Sequence, residues 1–535
     1  MGSLAIIWLS LLCHVLESED TLDDQTSVIR LFRESERAVF QLENEPDSSR
    51  ILVIFELAEL YRKFGNPVKA NAEIQRALAL LRSSPQITGS EDFDAEWFLI
   101  SVAKLQSQID DRAGAIATVQ SIEDASRRFY ALWEISTIHA ESGDLENARL
   151  FLELIPPEEG YWRAQIFTTM AETQAKSGDF AAALETVNQI DKLPKNNADD
   201  HALILTEKWL ALRAIAIASA DRGSFQQALD LTETIENVDL KIGTICDVAK
   251  IHAGKLDRAT ALRTLERALP IAEKPPSLAK LELIARLRAE FGDPEGCIQI
   301  STKYLRGVPA GCTNLLASIA YQINGNQRKS LTTYQTGLKL IREGETEEYS
   351  YALTDISVEA VRANQLDRAI EIADTIGDDL MRSHARRMLV PELLEVNDLE
   401  NAVRVAESIE NSPYDSAEAF RTIAVKQARI DPSKAKQTFE TALDHAKAIE
   451  IGGGTDVIAV YELGRAQGKA GFRDDASVTF ELARKRAMSY AEDSYVAQLF
   501  QAIAEAQTES GDTQGALLSA QGQTSPMIKV RSLFG

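Results

Sequence analysis

The sequence predicts an all-α fold, a solenoid of about 13 helical hairpins, because one short pattern recurs along almost all of its 535 residues. The pattern is an Ala, then Gly (or Asn or Asp) seven positions later, then a second small residue five positions further on, as in Ala171, Gly178 and Ala183. Around these positions apolar residues recur three or four apart, which is the spacing of one face of an α-helix. Self-similarity at a period of roughly 20–50 residues indicates stacked units that bury their apolar faces against each other.

The second small residue of the pattern fixes the number and spacing of the units. Adjacent members are 33 residues apart at the closest and 45 at the widest. The extra length falls in polar segments that contain Pro or Gly, which predicts longer loops between units and no domain boundary. We call these positions the turn-following residues, and they are Ala70, Ala115, Ala148, Ala183, Ala228, Ala261, Cys297, Ser330, Ala369, Ala402, Ala435, Ala476 and Ala516.

A Gly-Asp or Gly-Asn pair marks the turn inside many units, as in Gly178-Asp179. Glycine accepts the left-handed backbone conformation that ends a helix, and the following side chain caps the next helix. Other units carry Asn at the turn, as at Asn364 and Asn397. Each unit is therefore predicted to be a tight helical hairpin, and the glycine cluster at 452–454 is predicted to be a flexible connection between two hairpins.

The units resemble the tetratricopeptide (TPR) repeat. The similarity extends over roughly residues 50–520, although the early Trp of the family is replaced by Leu or Ile and its late Pro is mostly absent. A closely related helical-hairpin solenoid is therefore the alternative. The resemblance implies a right-handed superhelix whose concave face is formed by the first helix of each hairpin. The unit that matches best carries Leu463-Gly464, Gln467, Gly471, Ala476, Phe480 and Ala483.

The charge balance excludes one class of partner and leaves two interpretations of the surface. The chain has 57 basic and 81 acidic residues, a net charge of −24, and the acidic residues are spread through the repeats. A nucleic-acid surface needs a dense basic stripe, which this sequence lacks. The acidic surface either keeps a long array soluble, which we favour, or attracts a basic partner.

The sequence contains no motif that indicates catalysis, a metal site or a cofactor site. Its six histidines have no metal-ligand spacing, its four cysteines include no CxxC pair, and no phosphate-binding glycine loop is present. Cys297 stands where other units have Ala and is predicted to be a small core residue. We therefore expect a protein without enzymatic activity, metal or cofactor.

The N-terminal segment decides the predicted localisation. Residues 4–12 are an apolar run of signal-peptide length that is too short to span a bilayer, but no Lys or Arg precedes Arg30. Residues 1–18 are predicted to be a signal peptide or an apolar helix, 19–49 a capping helix region, 50–520 the repeats and 521–535 a tail. Export to the periplasm or beyond is the favoured localisation, and the cytoplasm is the alternative.

The register implied by the family resemblance predicts which side chains face the groove. It directs Leu132 and Ile135 into the core and Trp133 into the groove, where aromatic anchors are typical of binding surfaces. The alternative for Trp133 is that it fills space between helices. The same offset predicts a protein-binding groove lined by Tyr130, Trp133, Thr137, Gln165, Thr168, Glu172, Arg213, Lys250 and Arg286.

These observations predict a non-enzymatic scaffold that binds an extended or helical segment of another protein on its concave face. One alternative is a catalytic α/α toroid with an acidic active site, which the irregular spacing of the units and the 7% aromatic content disfavour. The other alternative is a purely structural spacer of an envelope assembly, and only a binding experiment separates it from a scaffold.

Overall fold

The computed structural model describes residues 47–84, 94–195, 197–255, 257–490 and 493–522. The predicted signal peptide or apolar helix at 1–18, most of the predicted capping region and residues 523–535 lie outside this part of the chain. Within it the secondary structure consists of 26 α-helices and the 3-10 helix Glu347–Tyr349, with no β-strand. This composition confirms the predicted all-α fold.

The helices are numbered here in chain order, so that odd numbers are the first helices of hairpins and even numbers the second helices. They are α1 (Asp47–Lys63), α2 (Pro67–Ser83), α3 (Ala95–Gln108), α4 (Arg112–Gln120), α5 (Ala125–Glu141), α6 (Leu145–Glu153), α7 (Gly160–Ser177), α8 (Phe180–Ile190), α9 (Ala198–Asp221), α10 (Phe225–Glu233), α11 (Val238–Gly254), α12 (Arg258–Ala272), α13 (Leu278–Glu290), α14 (Pro294–Tyr304), α15 (Gly307–Ile323), α16 (Gln327–Arg342), α17 (Ser350–Arg362), α18 (Leu366–Ala373), α19 (Asp379–Glu395), α20 (Leu399–Glu407), α21 (Pro413–Ala428), α22 (Pro432–Ala448), α23 (Thr455–Lys469), α24 (Arg473–Ala487), α25 (Asp493–Glu509) and α26 (Thr513–Gly522).

Consecutive helices pair as 13 hairpins, the number that the turn-following residues predict. The turn between α7 and α8 has the expected chemistry: Gly178 has a φ of 96°, and the Asp179 side chain accepts a hydrogen bond from the backbone N–H of Ala182 at 3.0 Å. Asn364 and Asn397 take the same left-handed conformation with φ of 59°. Asparagine tolerates this region better than most residues, so these turns close without glycine.

The turn-following residues are all buried, with exposed fractions between 0 and 3 %. Small side chains at these positions let the two helices of a hairpin approach closely, as the sequence predicts. Gly464 has a similar role in α23, because a Cβ at this position would lie only 3.0 Å from Cε1 of Phe480 in α24. Cys297, at 0 % exposure, is the small core residue that its position predicts.

A buried polar contact ties the two helices of several hairpins together. Between α7 and α8 the Thr186 hydroxyl donates to the side-chain oxygen of Gln174 at 2.7 Å, and both residues are buried. The glutamine lies nine residues before the turn-following residue, and its partner lies three residues after it. We call this contact the hairpin bridge, and it recurs in Thr118 with Gln106, Thr479 with Gln467 and Ser519 with Gln507.

The described helices group into two compact units. The central unit contains residues 99–107 and 112–377, and the flanking unit contains the described residues of 1–98, 108–111 and 378–535. Within the central unit, and within 378–522 of the flanking unit, first helices pack on neighbouring first helices, and second helices pack on the first helices beside them. Within each of these two stretches the first helices therefore form a layer. We call the side of this layer that faces away from the second helices the inner face.

The glycine cluster at 452–454 differs from the flexible connection that the sequence predicts. The backbone N–H groups of Gly452 and Gly454 both donate to the hydroxyl oxygen of Tyr490 at 3.0 Å. The Tyr490 hydroxyl in turn donates to the buried carboxylate of Asp456. A glycine-rich sequence indicates a permissive backbone but carries no signal for a tyrosine more than thirty residues away that fastens it.

Candidate interaction surface

Four aromatic side chains form a continuous cluster on two adjacent first helices of the central unit. Tyr130 and Trp133 come from α5, and Tyr161 and Trp162 from the first turn of α7. The ring centroids of Tyr130 and Trp133 are 5.4 Å apart, and each of these rings lies 6.5 Å from the ring of Trp162. The Tyr161 ring extends the group at 5.8 Å from Trp162. We call these four residues the aromatic cluster.

Local structure fixes the position of each half of the cluster. The Asp124 side chain caps α5 by accepting from the backbone N–H of Arg127 at 2.8 Å, and the three-residue spacing places Tyr130 and Trp133 on one face. The helix α7 begins at Gly160, where a Cβ would lie 2.7 Å from the carbonyl oxygen of Pro194 and 2.8 Å from Cδ1 of Ile204. Close packing at this glycine therefore fixes the position of the first turn of α7, and Trp162 in that turn contacts the rings of α5.

The cluster is anchored in the core on one side and accessible on the other. Tyr130, Trp133 and Trp162 are each half-buried and pack against a core that includes Leu132 and Ile135. Leu132 and Ile135 are 2 % and 1 % exposed, so the register that directs them inward is confirmed. Trp133 combines its two predicted environments, the groove and the space between helices, because it contacts the core and also keeps part of its surface accessible.

A paired carboxylate borders the cluster on the side of α3. The Tyr130 hydroxyl donates to Oε1 of Glu134 at 3.3 Å, and Oε2 of Glu134 accepts from Nζ of Lys104 at 2.7 Å. Burial raises the pKa of Tyr130, and the Glu134 carboxylate raises it further. Lys104 thus neutralises the carboxylate on this side and links α3 to α5.

A second carboxylate, Glu207 of α9, borders the cluster on the other side. Burial raises the pKa of Glu207, and the pKa of Tyr161 is raised by burial and by the Glu207 carboxylate, which places the two groups near each other. The Thr168 hydroxyl of α7 donates to the backbone carbonyl of Glu207 at 3.1 Å and holds α9 against α7. Within the part of the chain that the structure describes, no ion pair involves the Glu207 carboxylate.

The predicted groove residues of α5 and α7 lie around this cluster. Thr137 and Gln165 are half-buried, and the hydroxyl oxygen of Thr137 and Oε1 of Gln165 are buried atoms without a hydrogen-bond partner among the described residues. A buried polar atom left without a partner costs about 1–3 kcal/mol. Glu172 lies further along α7 and pairs with Lys176 at 3.2 Å.

The remaining predicted residues lie on later first helices and form a charged part of the inner face. Arg213 of α9 pairs with Asp247 of α11 at 2.9 Å. Lys250 of α11 and Arg286 of α13 both lower the pKa of Glu290, which loss of hydration raises. The Glu290 side chain is nevertheless exposed. The structure therefore places five of the nine predicted residues near the cluster and these three in a separate charged stretch, with Glu172 further along α7.

Sequence reasoning missed Tyr161, Trp162, Glu134 and Glu207. The register selects side chains by their distance from the turn-following residue, and Trp162 precedes the selected positions by almost a full turn of α7. Glu207 belongs to the 24-residue helix α9, whose early part reaches back beside α7. A usable signal was the distribution of tryptophan, because four of the five in the chain fall in the consecutive first helices α3, α5, α7 and α9.

The described residues contain neither a group of side chains able to hold a metal ion nor a helix of the length and apolarity that a membrane span requires. The thiols of Cys246, Cys297 and Cys312 are buried, and burial raises the pKa of each. These thiols therefore remain protonated at neutral pH.

No family model and no curated protein sequence matches this chain. Three solved structures show a distant likeness to it. The pentatricopeptide repeat protein PPR10 from maize is 11% identical, with 92% of this chain and 73% of that one covered and a TM-score of 0.33. The APC/C hetero-tetramer Cut9-Hcn1 is 12% identical, with 93% and 91% covered and a TM-score of 0.22. Ton1535 from Thermococcus onnurineus NA1 is 17% identical, with 64% and 99% covered and a TM-score of 0.21.

Proposed function

We propose that this chain is a non-enzymatic scaffold that binds an extended or helical segment of a partner protein across the first helices α5, α7 and α9. The observation that carries the proposal is the aromatic cluster, which is half-buried on the inner face and bordered by Glu134 and Glu207. Rigid aromatic side chains that keep accessible surface within a polar rim are typical of protein-binding sites.

The cluster is well suited to binding because its side chains are already ordered. Tyr130, Trp133 and Trp162 contact each other and the core, so a partner that covers them immobilises few additional bonds. Large aromatic groups supply much contact area for a small loss of conformational entropy. A partner segment that lies across α5 and α7 would therefore gain most of its binding free energy here.

The test uses peptides selected from a random displayed library on the immobilised full chain. Tyr130→Ala combined with Trp133→Ala should weaken binding of the selected peptides by roughly 2 kcal/mol or more per anchor. The matched control is Leu150→Ala with Leu154→Ala, which removes exposed apolar surface at α6. The control should leave the affinity within about twofold, since it lies outside the proposed surface.

A thermal melt of each variant separates binding from folding. Trp133 packs partly on the core, so its loss should cost less than the ~3–5 kcal/mol of a fully buried tryptophan. Unchanged affinity together with a stability loss of that full size would assign Trp133 to the core and would refute this surface as the binding site.

We also propose that the protein is exported, on the basis of the apolar run at residues 4–12. Mass spectrometry of the N-terminus of the protein purified from its native host tests this. An intact Met1 in the mature protein would contradict cleavage of a signal peptide.

A further inference from the structure

We infer that the partner segment is basic and that it places an arginine or lysine side chain between the aromatic cluster and the carboxylate of Glu207. This inference rests on the proposed function and adds the chemical class of the partner. It draws on the ion pairing of the inner face, the geometry of the rings and the charge of the whole chain.

Glu207 is the carboxylate at the cluster that lacks a cation. Glu134, on the opposite side, is neutralised by Lys104 at 2.7 Å, whereas no described residue forms an ion pair with Glu207. The Thr168 hydroxyl holds the backbone of Glu207 against α7 at 3.1 Å, and the Glu207 carboxylate contributes to the raised pKa of Tyr161. A half-buried carboxylate in this position gains from a cation that a partner brings, because burial has removed part of its hydration.

The flanking unit shows that unpaired carboxylates are not a general property of the first helices. There Glu418 pairs with Arg421 at 2.6 Å, and Glu509 pairs with Lys469 at 2.6 Å and with Arg465 at 3.2 Å. Each of these two carboxylates forms an ion pair with a basic residue of the same chain. Glu207 differs from these two carboxylates, because no described residue forms an ion pair with it.

The aromatic rings supply the second half of a cation site. The planes of Tyr130 and Trp162 are inclined at 85° and those of Trp133 and Trp162 at 54°, so the faces of these rings point in different directions. A guanidinium or ammonium group is attracted to such faces, most strongly to tryptophan. A cation on the cluster would therefore contact ring faces and the Glu207 carboxylate together.

The charge of the chain extends the attraction beyond this contact. The net charge is −24, and the inner face continues through Glu282 and Glu290 of α13, whose pKa values are raised by loss of hydration. Asp355 and Glu359 of α17 lie close enough to Glu290 to raise its pKa further. A segment with several basic residues would be steered to this face and would bind less tightly as salt is added.

The probe is a blocked 12-residue peptide of alternating Gly and Arg, titrated into the full chain with tryptophan fluorescence and calorimetry as readouts. Peptides in which Glu or Ser replaces Arg are the composition controls. Glu207→Gln should weaken binding of the Arg peptide ~10-fold, as expected for loss of one charge-assisted contact. Glu185→Gln removes the same charge from an exposed position on the second helix α8 and should change affinity less than about twofold.

The outcomes distinguish the inference from the proposed function. Equal weakening by Glu207→Gln and Glu185→Gln would mean that the peptide responds only to overall charge, and the inference would be overturned. Library peptides that are not basic but still require Tyr130 and Trp133 would overturn the inference and leave the proposed function intact. Since Gln has nearly the same shape as Glu, an unchanged melting temperature confirms that a loss of affinity is not unfolding.

Discussion

His252 occupies the position that holds glutamine in four hairpin bridges. Its ring is 1 % exposed, its Nδ1 lies 3.1 Å from the hydroxyl oxygen of Thr264, and its Nε2 has no hydrogen-bond partner among the described residues. Burial lowers the pKa of His252, Asp257 opposes this, and Lys255 adds to it. His252 thus introduces a titratable group into a contact that pairs uncharged side chains in the four glutamine bridges.

The first prediction concerns the pH dependence of stability. The unfolded chain binds a proton at His252 more readily than the folded chain, so stability should fall as the pH drops below the ordinary histidine value of about 6.5. The variant His252→Gln restores the usual bridge and removes this proton uptake. Its free energy of unfolding, measured with urea, should decrease less between about pH 7.5 and about pH 5.5 than that of the wild type.

His384 and His445 also have pKa values lowered by burial, and both remain in the His252→Gln variant. Part of the pH dependence should therefore persist in it. Identical decreases in the two proteins would show that His252 does not contribute to acid sensitivity.

The hairpin is the element that the chain repeats, and two devices hold it together. The turn-following residue allows close approach of its two helices, and the hairpin bridge pairs the polar groups that this approach buries. Side chains that hydrogen-bond to each other in the core fix the relative sliding of two helices, which apolar contacts alone do not specify.

Thr186→Val should destabilise the chain by ~1–3 kcal/mol, because it leaves the buried oxygen of Gln174 without a donor. Combining it with Gln174→Leu should cost less than the sum of the two single changes, as measured by urea unfolding in a double-mutant cycle. The control Thr234→Val removes an exposed hydroxyl that bonds only to its own helix and should change stability by less than about 0.5 kcal/mol. Strict additivity would contradict a direct Gln174–Thr186 interaction.

Ala183→Leu should cost ~1–3 kcal/mol, because the added volume must enter a site with 0 % exposure between α7 and α8. Glu172→Gln, which removes a charge from the inner face of the same hairpin, should stay within about 0.5 kcal/mol. Thermal and urea unfolding of the two variants provide the comparison. Equal effects would show that the assignment of buried and exposed faces is wrong.

The features of the chain that repetition sets could be predicted from the sequence, and those that depend on contacts between neighbouring helices could not. A hairpin is predicted from Gly178, Asp179 and Ala183, because the local backbone conformation of the turn requires residues of these types. The same register located Tyr130 and Trp133. The sequence did not predict Glu207 near the cluster, because this position depends on the packing of the long helix α9 beside α7. The periodicity within either helix carries no information about that packing.

The hairpin bridge was not predicted from the sequence, for a related reason. A single Gln and Thr twelve residues apart carry no signal by themselves, and their pairing became visible only when the hairpins could be compared in three dimensions. The sequence likewise contains no signal that the histidine in one bridge is buried. Burial of polar side chains is a tertiary property, and composition does not report it.

Three cysteines provide a test of how the central unit opens. Burial raises the pKa of Cys246 and of Cys312 to about 12 and raises that of Cys297, so their thiols should not react with a thiol reagent in the folded protein. Labelling should begin in the urea range where the central unit unfolds. The experiment uses Cys13→Ser to remove the thiol outside the described residues, and prompt native labelling would contradict this burial.

The shared offsets of the hairpins have a consequence for how such a chain changes its length. Every described hairpin has a buried small residue at the same position, and several also have a hairpin bridge of identical spacing. Because these packing contacts are alike in all hairpins, a hairpin can be duplicated or deleted and the hairpins on either side of the change can still pack against each other. Residues outside these contacts, such as those of the aromatic cluster, can then differ between hairpins while the turn-following residues and hairpin bridges are kept.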